Sequence, residues 1–309
     1  MLEASVIICT HNPRSDYFSR VLDGLRNQML PLDKWELLVV DNASRLPLAS
    51  NWDISWHPNS SYVIESELGL LWARLRGIRE AAADLIVFVD DDNVLDNEYL
   101  SETIRIKKEW PLLGVWGSGS ISADFEVEPS DNLEKFLPSL ALRDVAGSCW
   151  ANSTSCVDAI PWGAGLCIRR RIAQAYHEFC ERSRIQITGR RGNSLSSSED
   201  KEISLVCCSN GLGIGIFPEL RLKHLIPRER VSEDYLVQLG EGIMVSNLLL
   251  DYKWLNIIPP APFDLDGLLS ILKNLLLRRG IDRRMRFAVA RATLKARQII
   301  RTDLRKNAG

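Results

Sequence analysis

Five apolar, largely β-branched residues, Leu85-Ile86-Val87-Phe88-Val89, run without a break into Asp90-Asp91-Asp92-Asn93. A run of that length with no polar alternation reads as a strand buried on both faces, as in a parallel sheet. Parallel strands need crossover helices to cover them, so this stretch narrows the chain to an α/β architecture. The three carboxylates fall where such a sheet presents its ligands, outside the carboxyl ends of its strands. Adjacent acids repel one another and lose solvation there, a cost that a hard divalent cation relieves. Oxygen donors suit Mg²⁺ or Mn²⁺, which would bridge to phosphates. The competing reading is a solvated acidic turn, because Asp and Asn are common turn residues.

The flanking sequence repeats the pattern. Residues 4–10 (ASVIICT) read as a strand broken by His11-Asn12-Pro13, and helical spacing through Phe18, Val21, Leu22 and Leu25 follows. WELLVV over 35–40 is a second strand, again polar at its end in Asp41-Asn42-Ala43-Ser44. A short strand over 61–64 and a helix over 69–83 lead into the acidic strand. Strand and helix alternating in this way predict βαβ units in a doubly wound sheet. Beyond lie a helix over 98–110, a glycine-bearing strand over 114–121, and an irregular stretch, 123–160, expected to cover a pocket. Trp162-Gly163-Ala164-Gly165 enters the next strand, its glycines allowing close backbone approach to a ligand. A helix over 172–180 follows, then a Gly- and Ser-rich loop, 188–198, carrying Arg190 and Arg191. Glu199-Asp200 begins the helix after it, and the plain reading there is a serine cap with first-turn acids on the helix dipole. A strand over 215–225 contains His224, with Arg228 and Arg230 just past its end, and a helix over 233–250 follows. Pro259-Pro260-Ala261-Pro262 marks a boundary, giving a main domain, 1–256, and a basic helical extension, 257–309.

A length of 309 residues suffices for one large domain with an appendage. The net charge of −2 argues against a generally basic nucleic-acid binder, but the charge is uneven. From Lys273 onward twelve Lys or Arg stand against Asp282 and Asp303. With Leu268, Leu269, Leu272, Leu275 and Leu276, and later Phe287, Leu294 and Ile299, the extension reads in two ways. It packs on the main domain with its arginines solvated, or residues 265–309 make peripheral contact with an anionic membrane. Seven cysteines without a C-x-x-C pair, Cys9 and Cys167 within apolar runs, read as reduced thiols in a cytoplasmic protein. The opening MLEASVIICTHN lacks a basic n-region, so no signal peptide is expected, and no apolar stretch reaches membrane-spanning length.

Taken in order, SVIICTHN, VVDNAS, ELGLLWARLRGIREA, the strand ending in DDD, PWGAGLCIRR, Glu199-Asp200 and RLKHLIP resemble the family 2 glycosyltransferases. The likeness covers about residues 4–250. It implies the GT-A fold, a mixed, mainly parallel central sheet flanked by helices, here with a C-terminal helical extension. It also implies inverting transfer of a sugar from a nucleoside-diphosphate sugar, UDP being the commonest carrier, to a hydroxyl on a glycan or lipid-linked glycan in cell-surface polysaccharide or glycoconjugate synthesis. Carried onto this chain, the resemblance sets Thr10, Asn12 and Asp41 against the nucleoside. Arg74 falls near the nucleotide or its phosphates, with Leu75 where the family usually has asparagine. Asp90 would bond the ribose, Asp91 would stand beside it in the nucleotide-sugar site, and Asp92 with His224 would hold Mn²⁺ or Mg²⁺. Arg230 or Arg228, with Arg190 and Arg191, would meet the leaving diphosphate under a lid formed by 188–198. Asp200, with Glu199 in the family's E-D motif, would be the general base, and Trp162 and Gly163 would face the acceptor. Two rivals stand beside this reading. A nucleotidyltransferase of related fold would want a G-x-G-x-R loop where this chain has THNPRSD. A non-catalytic nucleotide-sugar binding module would have no use for metal acids and base together.

Overall fold

The computed structural model of the chain describes residues 1–192, 195–261 and 279–307. Four parallel strands, β1 (Ala4–Thr10), β2 (Trp35–Asn42), β3 (Ser60–Glu65) and β4 (Leu85–Asp90), lie in the order β3-β2-β1-β4. Helices α1 (Ser15–Arg26) and α2 (Leu70–Glu80) make crossovers on opposite faces. The two-residue period of a strand does the sorting. Val6, Ile8, Leu37, Val39, Val87 and Val89 pack against α1 and α3 (Tyr99–Glu109). Their neighbours Ile7, Leu38, Val40, Ile86 and Phe88 face α2, α4 (Arg170–Arg182) and α5 (Glu199–Ser209). Because both faces are covered, every residue of β1 and β2 is buried.

The second half of the sheet is mixed. Strand β9 (Cys167–Arg169) runs antiparallel between β4 and β6 (Leu113–Phe125), and β6 pairs in parallel with β10 (Gly213–Ile226). The sheet is thus mixed and mainly parallel, as the resemblance implied. Where the sequence reads only an acidic turn, Asn93–Leu95 forms a further strand, β5, antiparallel to β10 with Asn93 opposite His224. The stretch 123–160 is more ordered than its pattern suggests. It holds a 3₁₀ helix (Asp131–Leu140) and two short strands, β7 (Arg143–Asp144) on β6 and β8 (Cys149–Ala151) on β10. The expected serine cap on α5 is not made. Ser198 is left-handed at φ 78°, makes no cap hydrogen bond, and turns its hydroxyl to Asn247 Oδ1 at 3.3 Å. All seven cysteines are free thiols.

Helix α6 (Glu233–Leu255) carries α7 (Gly280–Asn307) along its side. Ile281, Ala288, Ala292, Ala296 and Ile300 are buried there, and Arg291 and Lys295 both pair with Glu241. The first part of the extension's apolar run, Leu268 to Leu276, lies outside the described residues. Among the described residues no helix is long and apolar enough to cross a membrane.

Gly165 fixes the loop between Trp162 and β9. Its φ is +71°, and an added Cβ would stand 2.2 Å from the Tyr99 hydroxyl, which donates to the Gly165 carbonyl at 2.6 Å. Left-handed strain and overpacking together predict that Gly165→Ala costs about 2–5 kcal/mol of stability. Urea denaturation checks this, and an unshifted midpoint would show that the loop adapts at no cost.

Candidate active site

A cavity of about 980 Å³ opens at the carboxyl ends of β1 and β4. Thr10, Arg74, Asp90, Asp91 and Asp92 line one side, and Trp162, Gly163, Glu199, Asp200, His224 and Arg230 complete it. Residues up to 220 positions apart in the chain thus converge on one space, and sheet register explains how. Cys9 pairs with Asp90 across β1 and β4, so Thr10 falls beside Asp91 and its hydroxyl donates to Asp91 Oδ2. Burial, and then the charge of Asp92, push the Asp91 carboxyl up to about 7. Burial likewise raises Asp90, although Arg74 draws it down.

The β5–β10 pairing sets the other end. With Asn93 opposite His224, the Asp92 carbonyl accepts from Leu225 N at 2.8 Å and the Asp92 carboxylate meets the imidazole. His224 Nδ1 donates to the Leu140 carbonyl at 2.9 Å, which leaves Nε2 as an acceptor 3.5 Å from Asp92 Oδ2. Arg230 Nη1 lies 2.7 Å from Asp92 Oδ2 and 3.2 Å from His224 Nε2. Burial alone would raise Asp92, but the Arg230 guanidinium holds its carboxyl well below the usual range. A buried, ionised carboxylate beside an imidazole whose other nitrogen is bound to a carbonyl is a donor set suited to a divalent cation. Among the described residues no three His, Cys, Asp or Glu side chains are grouped to cage one. Asp92 and His224 would be the protein's donors to such a cation.

Between these ends lies Arg74, 2% exposed. Its Nη1 donates to Glu199 Oε1 at 3.0 Å and its Nη2 sits 3.6 Å from Asp90 Oδ1, tying α2, α5 and β4 together. Gly163 fits only because it lacks a Cβ, which would lie 2.8 Å from Arg74 Nη2. Its N–H donates to Asp200 Oδ2 at 2.9 Å, while Lys201 N–H donates to Oδ1 at 2.7 Å. Burial raises both the Glu199 and Asp200 carboxyls, and Arg74 opposes it in each. Asp200 lines the cavity with both of its oxygens held by backbone N–H groups.

Asn12 and Asp41 are not part of that lining. Asp41 accepts from Ser44 N at 3.0 Å and Leu48 N at 3.4 Å, and Asn12 Oδ1 accepts from Arg45 N at 2.9 Å, so both shape the turn after β2. His11 and Asn42, beside them in sequence, do line the cavity. Arg230 and Arg190 line it, whereas the Arg228 backbone N–H is tied to Glu126 on the surface. Both described ends of the loop expected to be a lid are docked. The Thr188 and Arg190 carbonyls accept from Leu71 and Leu70 at the start of α2, and Ser197 N–H donates to Ser246 Oγ at 3.1 Å. Sequence reasoning missed Arg143, whose guanidinium lies 3.6 Å over the Trp162 ring. Nothing in its local pattern marks it, because β7 is two residues long.

Residues 5–133 match the family model described as Glycosyl transferase family 2. Among solved structures, S. aureus TarS 1–349 matches with a TM-score of 0.53 at 14% identity, covering 98% of this chain and 92% of that one. The same fragment in complex with UDP-GlcNAc matches at 0.52 and 16%, covering 96% and 92%. The mannosyltransferase PcManGT from Pyrobaculum calidifontis, in complex with GDP-Man and Mn²⁺, matches at 0.56 and 18%, covering 99% and 81%. At such identities these likenesses are of fold, and the fold is GT-A. Residues 5–133 are thus similar in sequence to family 2 glycosyl transferases, and the chain shares its fold with a mannosyltransferase.

Removing the buried Arg74 cation tests the centre of the site. Arg74→Met leaves Glu199 and Asp90 without their partner and is expected to destabilise the fold by about 3–5 kcal/mol. The sign with pH follows from Glu199, whose folded pKa is already raised and rises further without the cation. Stability from such a group is present below its unfolded pKa and lost as pH rises through the folded one. The deficit should therefore be smaller near about pH 5 than near about pH 8 in urea titrations; a deficit that grew in acid would contradict it.

Proposed function

We propose that the chain transfers a sugar from a UDP-sugar to the hydroxyl of a glycan or lipid-linked glycan with inversion, Asp200 acting as general base. One observation carries this reading. A single cleft holds Arg230, beside Asp92 and His224, at one end and the Asp200 carboxylate at the other, with Arg74 in the same lining. The first suits a diphosphate and the second a hydroxyl that must lose its proton. The TarS complex with UDP-GlcNAc and the PcManGT complex with GDP-Man and Mn²⁺ support a nucleotide-sugar donor.

Asp90 and Thr10 would meet the nucleoside, with Asn12 and Asp41 holding the turn beside them. Arg74 pairs with Glu199 and stands beside Asp90, and so fixes α5, from which Asp200 projects. Gly163 N–H orients one Asp200 oxygen, leaving the carboxylate to accept the acceptor proton as its oxygen attacks the anomeric carbon opposite the diphosphate. Negative charge then builds on the diphosphate oxygens, where Arg230 stabilises it. Mn²⁺ or Mg²⁺, held by Asp92 and His224, would neutralise the same charge when bound. Residues 1–256 would carry transfer. The extension, 257–309, would serve a cytoplasmic enzyme at an anionic membrane surface, since Arg283, Arg286, Arg301 and Arg305 are exposed on α7 beside Leu294 and Ile299.

Asp200→Asn should lower transfer by about 10²–10⁴ with nucleotide-sugar affinity within a few-fold of wild type. Coupled UDP-release kinetics with calorimetry measure both, and a wild-type rate in the variant would remove Asp200 from the role of base. Sedimentation with vesicles should deplete the chain only when anionic lipid is included. Equal depletion by neutral vesicles would argue against charge-led contact.

A further inference from the structure

Arg143 stands in the same cavity. It projects from β7, paired with Ile121 of β6, and its guanidinium stacks 3.6 Å over Trp162. Nη2 donates to the Ile160 carbonyl at 3.1 Å. Nη1 is buried and finds no hydrogen-bond partner among the described residues. Burial pulls the guanidinium pKa down to about 10 against the opposing charges of Asp200 and Asp158, and neither acid closes an ion pair with it among the described residues. Trp162, on which it stacks, adjoins Gly163, whose N–H holds Asp200, so the guanidinium belongs to the Asp200 end of the cleft. An arginine in this state is costly to the fold and lacks the counter-charge that would offset the cost. Stacking on Trp162 holds its planar fork in one orientation, the arrangement that recognises a carboxylate or phosphate through two parallel hydrogen bonds.

We propose that Arg143 and Trp162 form the acceptor subsite, and that the acceptor carries an oxyanion, a carboxylate or a phosphate, close to the hydroxyl that receives the sugar. This rests on the transferase reading above. Trp162 holds the guanidinium in place from one side, and the adjacent Gly163 N–H holds Asp200. A ligand anion bound at Arg143 is therefore set one residue away from the base. An acceptor lacking the anion leaves the guanidinium unpaired, which makes the subsite selective as well as attractive.

The test uses the full chain with UDP and Mn²⁺ in excess, so that the diphosphate end is filled. Two matched pairs of probes are compared by calorimetry or saturation-transfer NMR: methyl glucuronide against methyl glucoside, and glycerol 1-phosphate against glycerol. One charged probe should bind about tenfold or more tightly than its neutral partner, and the pair concerned identifies carboxylate or phosphate as the anion. Arg143→Met should abolish that preference. Arg143→Lys, which keeps the charge without the fork, should retain part of it and controls for misfolding. No charge preference in either pair, or a preference that survives in Arg143→Met, overturns the proposal. Failure of the wild-type chain to bind UDP or any nucleotide sugar would instead count against the transferase reading itself.

Discussion

The buried guanidinium of Arg74 is the interaction on which the site depends. A charge this deep is tolerated only beside carboxylates, and Arg74 finds Glu199 on one side and Asp90 on the other. Those acids come from α5 and β4, elements more than a hundred residues apart in sequence. One cation therefore sets the distance between the strand end and the helix that bears Asp200. Gly163 follows from the same constraint, because only a residue without a Cβ passes so close to the guanidinium while its N–H reaches Asp200. Geometry at both ends of the cleft is a consequence of satisfying a charge in its middle.

The strand end itself divides into three environments. Asp91 is turned to Thr10 and pushed up by burial and then by the charge of Asp92, Asp90 stands beside Arg74, and Asp92 is kept ionised by Arg230. Three adjacent carboxylates are sustainable because each has a different partner. Only Asp92 combines a firmly ionised carboxylate with an imidazole acceptor, which is why the donor chemistry for a cation concentrates there.

Much of this was legible in the sequence, and the parts that were not share a physical cause. The apolar run into Asp90-Asp91-Asp92, the helix bearing Arg74 and the pair Glu199-Asp200 each have a local pattern, and the structure brings them together in one cavity. Strands β5 and β7, at three and two residues, are too short for any periodicity to declare them. Yet β5 is what delivers His224 to Asp92, and β7 is what carries Arg143 to Trp162. The turn after β2 is a different case. Asp41 has the look of a ligand at a strand end, and its carboxylate also accepts from backbone N–H groups that shape the turn, which residue type alone does not reveal. Ser198 likewise resembles a helix cap and bonds Asn247 instead.

The proposed role of Asp200 as base, opposite a leaving diphosphate, makes a stereochemical commitment that needs no knowledge of the acceptor. Water can stand in for the acceptor hydroxyl, and it would be delivered by Asp200 from the face opposite the diphosphate. Proton NMR of the first sugar released from an α-linked nucleotide sugar measures this directly. Inversion requires the β anomer to appear first, with the α anomer rising only at the rate of mutarotation. Initial release of the α anomer would contradict a single displacement led by Asp200.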